Sequence, residues 1–406
     1  MFYDSNAPQP VRMDADPSSA ISLKYKKKTD EWTKDDFHIV RNMQVGYFAM
    51  PLAILGLAVA FKMGADWSDF TNYTGTPRQF TLQDEFHYIA GIVGGAIFAF
   101  WLALYGLRFM LYTNKCKTEW ECPVRSPSFG AISICLMLIA FLIEDEVDNH
   151  EARAIFWVGA LLHCFLTVAK LGEWIGMRME IEHVHAQWMI LPVGLSVAAL
   201  VAPMIPFFKE SSDNAVGNIL VSRFFQSIAV IMWVVLFATT FLKVVTTHNS
   251  DNRLRHGVFL WVAAPCVIGL AEFSICVGDG FNQRECNATF ANYTFIGMFI
   301  FLSLCWCTLP YIGFLGREQF GMQYWIGCFA LDTLAASGAL LYAIYGYDAT
   351  ETLMVIFMVL ASLANIVCFL HTLAAISRRR GVFTPEVKWG PLSFMKLTHE
   401  AIRGNL

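Results

Sequence analysis

Asp332 and Glu272 each interrupt a long run of apolar residues. An ionisable side chain at membrane depth costs at least about 2.5–3.5 kcal/mol, so such groups mark pathways, relays or ion pairs. Asp332 fits three roles. It can hold a proton at rest and couple it to substrate movement, pair with a basic side chain of a neighbouring helix, or bond backbone freed by a kink. Glu272 lies nearer a segment end and either lines a path or meets water. Lys170 and Glu173 stand i, i+3 and pair on one helix face. His163 and His371 are single histidines, not the facing pairs that a haem would need. No Gly-rich phosphate loop, nucleophile elbow or HExxH occurs. The residues read as those of a non-enzyme with no metal and no cofactor.

The elements that must carry these groups follow from composition. Of 406 residues, 56% are hydrophobic and 15% charged, against roughly 25% charged in a soluble domain. Mean hydropathy is +0.48. A soluble globule of this size cannot hide that much apolar surface, so a water-soluble enzyme is excluded, as is a disordered or fibrous chain. A net charge of −4 gives no case for nucleic acid. Eleven cysteines fall far short of a disulfide scaffold.

A bilayer core about 30 Å thick needs about 20 apolar residues per helix. Ten stretches qualify: 44–63, 86–113, 127–143, 154–177, 184–207, 219–246, 256–277, 290–315, 320–346 and 351–376. The fold class is therefore an all-α polytopic membrane protein, with tails at 1–43 and 377–406. The first 43 residues have no apolar h-region, so no cleaved signal peptide is expected and span 1 serves as the insertion signal. Lys and Arg placement sets the orientation. With both termini cytoplasmic, 23 of the 29 fall inside, including Lys26, Lys27 and Lys28 and Arg378, Arg379 and Arg380. Lys62, Arg78, Arg153, Lys209, Arg223 and Arg284 fall outside.

The three N-x-Thr sequons, at Asn72, Asn287 and Asn292, agree with this topology, which puts loops 1–2 and 7–8 outside where glycans are added. Cys276 and Cys286 flank outer loop 7–8, where a disulfide can form; Cys116 and Cys122 lie on the inner side and should be reduced. Arg125, Arg178, Arg253 and Arg255 gather at the cytoplasmic mouth. They either focus anions or merely set topology. Glu144, Asp145, Glu146, Asp148 and Glu151 make outer loop 3–4 acidic, which disfavours anion entry from outside.

Proline is concentrated in odd-numbered spans: Pro51, Pro127, Pro192, Pro203 and Pro265. A proline inside a helix removes a hydrogen bond and bends the axis, and the freed carbonyl must face protein or water. Odd spans are thus expected inside and even spans at the periphery: five hairpins around a central pore.

Four segments carry a resemblance. Span 1 reads GYFAMPLAILGLAVAF (Gly46 to Phe61), and span 3 opens with CPVRSPSFGAISI (Cys122 to Ile134). Span 7 opens with RHGVFLWVAAPCV (Arg255 to Val267), and span 9 reads FGMQYWIGCFALDTLAAS (Phe320 to Ser337). Together they resemble the tellurite-resistance/dicarboxylate transporter family, which includes the bacterial tellurite-resistance channel, plant slow-type anion channels and fungal malate and sulfite permeases. The correspondence runs over nearly all of 44–376. It implies a homotrimer with one pore per protomer, lined by the odd helices and occluded by a phenylalanine on span 9. That position falls on Phe329, after Tyr324 and Trp325. Three departures accompany the match. Ala53 replaces the glycine that gives the gate ring room, Ala330 replaces a proline, and Asp332 places a carboxylate one turn past the gate, where it would repel anions.

The resulting expectation is an anion channel for chloride, nitrate, malate or sulfite. The alternatives are a proton-coupled mono- or dicarboxylate transporter on the same fold and a non-conducting subunit of a larger assembly. The implied setting is the plasma membrane or another secretory-pathway membrane. Partners are membrane lipid, small anions, two further copies and a cytoplasmic kinase or regulator acting on the polar tail around Ser18, Ser19 and Ser22.

Overall fold

The computed structural model describes residues 39–66, 81–144, 149–176, 184–204, 212–246, 257–278, 283–308, 321–322 and 324–377. Residues 43–382 form one compact unit. Of a second unit, 1–42 with 383–406, the described part is the short helix Ile39–Asn42.

Ten apolar helices follow in order: α1 Ala49–Asp66, α2 Thr81–Leu111, α3 Gly130–Ile143, α4 Asn149–Gly176, α5 Ile190–Val201, α6 Ser212–Thr246, α7 Leu260–Gly278, α8 Gln283–Thr308, α9 Tyr324–Tyr345 and α10 Asp348–Ser377. Among the described residues, nine segments are long and apolar enough to cross a membrane, and Ala186–Val201 is a shorter apolar helix. The chain is an integral membrane protein. Several boundaries differ from the hydropathy reading. Span 5, expected over 184–207, leaves regular helix after Val201, and α8 begins at Gln283 rather than 290. Hydropathy sees the apolar middle of a helix. The backbone keeps its hydrogen bonds through polar flanks such as QRECNAT as long as water can meet the side chains.

Burial alternates along the chain. In the apolar segments containing α1, α3, α7 and α9, 67% to 89% of residues are buried, and every residue of α5 is buried. In α2, α4, α6, α8 and α10 the share is 22% to 39%. Each buried helix packs along the exposed helix that follows it. The buried helices also pack on one another in the order α1, α3, α5, α7, α9, and α9 returns to α1.

Four of the five buried helices open with a 3-10 turn that runs straight into α-helix: Val45–Phe48 before α1, Ser126–Phe129 before α3, Ala186–Met189 before α5 and 257–259 before α7. This relocates the prolines. Pro51 and Pro192 are the third residues of α1 and α5, Pro127 lies within its 3-10 turn, and Pro203 is in the turn after α5. Only Pro265 sits inside a regular helix, α7. Expected as mid-span kinks, most of the prolines instead mark helix openings and ends. A proline has no N–H to give the i−4 carbonyl, and at an opening that costs little, because 3-10 i→i+3 bonds already satisfy carbonyls there.

Lipid tails are as apolar as leucine, so close approach and polar contacts must hold helices together. Both are present. A Cβ on Gly94 of α2 would stand 2.9 Å from Leu55 of α1, and one on Gly159 of α4 would stand 2.9 Å from the Ser133 carbonyl of α3. Side chains of the outer layer reach inner backbone. His163 Nε2 donates to the Leu191 carbonyl at 2.9 Å while Nδ1 lies 2.7 Å from Ser133 Oγ. Gln226 Nε2 donates to the Ile268 carbonyl at 2.9 Å, and Ser222 Oγ donates to the Ala199 carbonyl.

At the end of α2 the helix Thr113–Glu121 turns back onto the bundle. Arg108 and Glu119 form a fully buried ion pair at 2.8 Å, and Tyr105 donates to the same carboxylate at 2.9 Å. Lys170 donates to the Trp120 carbonyl at 2.8 Å and to Glu173 at 2.7 Å, with its ammonium 3.8 Å from the centre of the Trp120 ring. Burial pushes the Cys116 thiol in this cluster up from its ordinary pKa.

Candidate functional site

Phe329 lies in the second turn of α9, the inner helix that packs on both α1 and α7. Its side chain is 2% exposed. The ring lies against Gly56 of α1, where an added Cβ would stand 3.0 Å from Phe329 Cδ2 and 3.3 Å from Asp332 Cβ. Any larger residue at 56 would have to displace the ring. The clearance expected at position 53 is therefore supplied one turn further on, by Gly56. The span 1 string contained this glycine, but the resemblance directed attention to the place where Ala53, itself fully buried, now stands.

Asp332 follows Phe329 at i+3 and so lies on the same side of α9. It is fully buried, and Asn365 Nδ2 of α10 donates to its Oδ1 at 2.8 Å. Asp332 Oδ2 has no hydrogen-bond partner, nor does Asn365 Oδ1. The carboxylate thus meets an amide of the outer layer, not a basic side chain. Two further pairs tie α9 to α10: Trp325 Nε1 donates to Thr372 Oγ1 at 3.0 Å, and Cys328 Sγ lies 3.3 Å from Cys368 Sγ. Asn365, Thr372 and Cys368 went unread in the sequence, because one helix's pattern does not say which neighbour it faces.

Glu272 also turns to the outer layer: Gln226 of α6 donates to its Oε1 at 3.3 Å. Pro265 and Cys266 lie on α7, and Cys266 abuts Ser337 and Thr333 of α9. Thr333 bonds its own helix at the Ala330 carbonyl, 2.8 Å away. The hydroxyl of Ser196 on α5 is fully buried and has no hydrogen-bond partner, and that of Ser337 on α9, equally buried, has the Cys266 thiol beside it. They are neutral donors presented by two inner helices.

Arg125 is half-buried and stands at the N-cap position of the 3-10 turn before α3, with no side-chain cap hydrogen bond. Arg178, Arg253, Arg255 and Asn72 lie outside the described residues. Asn287 and Asn292 fall within α8 rather than in a loop. Asn292 is exposed, but Thr294 of its sequon is fully buried. Cys276 at the end of α7 and Cys286 at the start of α8 are joined by a disulfide, their Cα atoms 5.8 Å apart. Among the described residues, no group of three or more His, Cys, Asp or Glu could hold a metal.

Residues 42–373 match the family described as voltage-dependent anion channel. The chain is 23% identical over 268 residues to the S-type anion channel SLAH3 of Arabidopsis thaliana, a match covering 66% of this chain and 38% of that protein. This chain thus spans less than half of that relative. S-type anion channel SLAH1 of the same plant is 23% identical over 298 residues, 73% of this chain and 72% of its own length. An uncharacterized transporter of Methanocaldococcus jannaschii is 21% identical over 263 residues, 63% of this chain and 75% of its own length.

Proposed function

The chain belongs to the voltage-dependent anion channel family, and on that premise we propose that it conducts small anions, of the chloride, nitrate, malate or sulfite class, along an axis enclosed by α1, α3, α5, α7 and α9. Phe329 is the gate. The observation that carries this reading is the Phe329 ring packed against Gly56 where two inner helices meet. An uncharged ring blocks a path without trapping an ion, and it can swing about χ1. An anion that sheds water needs donors, and the unpartnered hydroxyl of Ser196, with that of Ser337 beside the Cys266 thiol, is of that kind. In this reading the protein is a homotrimer of a secretory-pathway membrane, with both termini cytoplasmic, the arginines around Arg125 at the inner mouth and a glycan on the outer sequon at Asn72.

The test is anion flux in liposomes or oocytes. Phe329→Ala is expected to raise conductance, and an unchanged conductance removes the gate assignment. A reversal-potential series with substituted anions then ranks the cargo.

One observation favours a proton-coupled carrier as the second reading: the fully buried Asp332 has one carboxyl oxygen without a partner, a place where a proton can reside. Asp332→Asn keeps the shape and removes the titration. In a carrier, flux then stops tracking the proton gradient; in a channel, the mutant stays ohmic across a pH change.

A further inference from the structure

We propose that Cys328 and Cys368 are an oxidisable thiol pair whose disulfide ties the Phe329-bearing turn of α9 to α10. The effect on conduction rests on Phe329 being the gate, whereas the bond itself does not depend on it. Cys328 immediately precedes Phe329, and its thiol donates to Cys368 Sγ at 3.3 Å. Neither cysteine is in a disulfide in the structure. Their register is held on both sides. Trp325 and Thr372 pair one turn before, and Asp332 and Asn365 pair one turn after. Three consecutive turns of α9 are thus each pinned to α10, with the two sulfurs in the middle. A disulfide sets its sulfurs about 2.05 Å apart, so closure draws them together by about 1 Å and shifts the turn that carries the gate ring.

The oxidant is a hydroperoxide, small and neutral enough to reach a buried thiol. Cys368, 9% exposed against 2% for Cys328, reacts first. Its sulfur attacks a peroxide oxygen and the O–O bond breaks. The leaving hydroxide takes the thiol proton as water, which leaves a sulfenic acid. The Cys328 sulfur then attacks the sulfenic sulfur, the S–O bond breaks, and the hydroxyl departs with the Cys328 proton as a second water. Two thiols are oxidised and one hydrogen peroxide is reduced to two waters.

The experiment uses the full chain in liposomes treated with hydrogen peroxide, then unfolded, blocked with N-ethylmaleimide, digested and weighed. The expected result is the Cys328 and Cys368 peptides joined with the loss of two hydrogens, and separated again by dithiothreitol. Cys116 and Cys135 remain alkylated. Cys328 and Cys368 alkylated as fully as in untreated protein would overturn the pair. In the same liposomes, anion flux is expected to change on oxidation, recover with dithiothreitol and stay constant in Cys368→Ser, or in Cys368→Ala should the serine variant not fold. A joined peptide with unaltered flux overturns the link to gating. Phe329→Ala flux without oxidant tests the gate separately, so failure of one reading is not mistaken for failure of the other.

Discussion

The five inner helices and the five outer ones are built from much the same apolar residues but keep different neighbours. α5 has no exposed residue, whereas α6 presents Leu220, Phe224, Ile231, Val234 and Val235 outward, each more than half exposed. In water such a face would be a liability, but in lipid it is neutral. The contrast teaches that hydrophobicity does not sort these helices. Glycine clearances and hydrogen bonds to backbone do, because only they gain from touching protein instead of lipid.

Breaking that contrast should hurt most where an outer helix is buried. Arg108→Ala removes the cation facing the buried Glu119 carboxylate and is expected to cost about 3–5 kcal/mol, read as a large fall in Tm or a loss of folded protein. Lys117→Ala, in an exposed pair with Glu121, should change Tm hardly at all. Next comes Gly56→Ala. Its Cβ at 3.0 Å from the Phe329 ring overpacks the inner layer by about 1–3 kcal/mol and is expected to alter anion flux. The double variant with Phe329→Ala relieves the clash, so the two changes should be strongly non-additive in Tm and flux. Asn365→Leu strands the Asp332 carboxyl, and a fall in Tm equivalent to about 1–3 kcal/mol is expected. The smallest effect sharpens the comparison. A Cβ on the outer-layer Gly106 meets nothing within 4 Å, so Gly106→Ala should leave flux unchanged and raise stability by at most about 1 kcal/mol.

Much of the architecture is legible in the sequence. Ten apolar stretches and a bias of proline to alternate spans suffice to divide the helices into two sets, because proline is tolerated in a membrane only where protein covers the freed backbone. The same bias misled in detail. Pro51 and Pro192 mark helix openings, since a sequence does not print the 3-10 turn that precedes them. Asp332 and Glu272 were visible as misplaced charges, but their partners Asn365 and Gln226 are ordinary polar residues on other helices, distant in sequence by 33 and 46 positions. Gly56 was one glycine among 28 until the ring beside it was seen. No spacing rule joins Cys328 to Cys368, because their meeting depends on how two antiparallel helices align.

Three of the fasteners between the layers grip main-chain oxygen. His163 takes the carbonyl of Leu191, Ser222 that of Ala199 and Gln226 that of Ile268. Every amino acid carries that oxygen. Exchanging the side chain at position 191, 199 or 268 therefore leaves these three bonds with their acceptor in place. A frame fastened this way tolerates change on its inner helices while its outer helices keep their grip, and the plant and archaeal relatives share only 23% and 21% of the aligned residues.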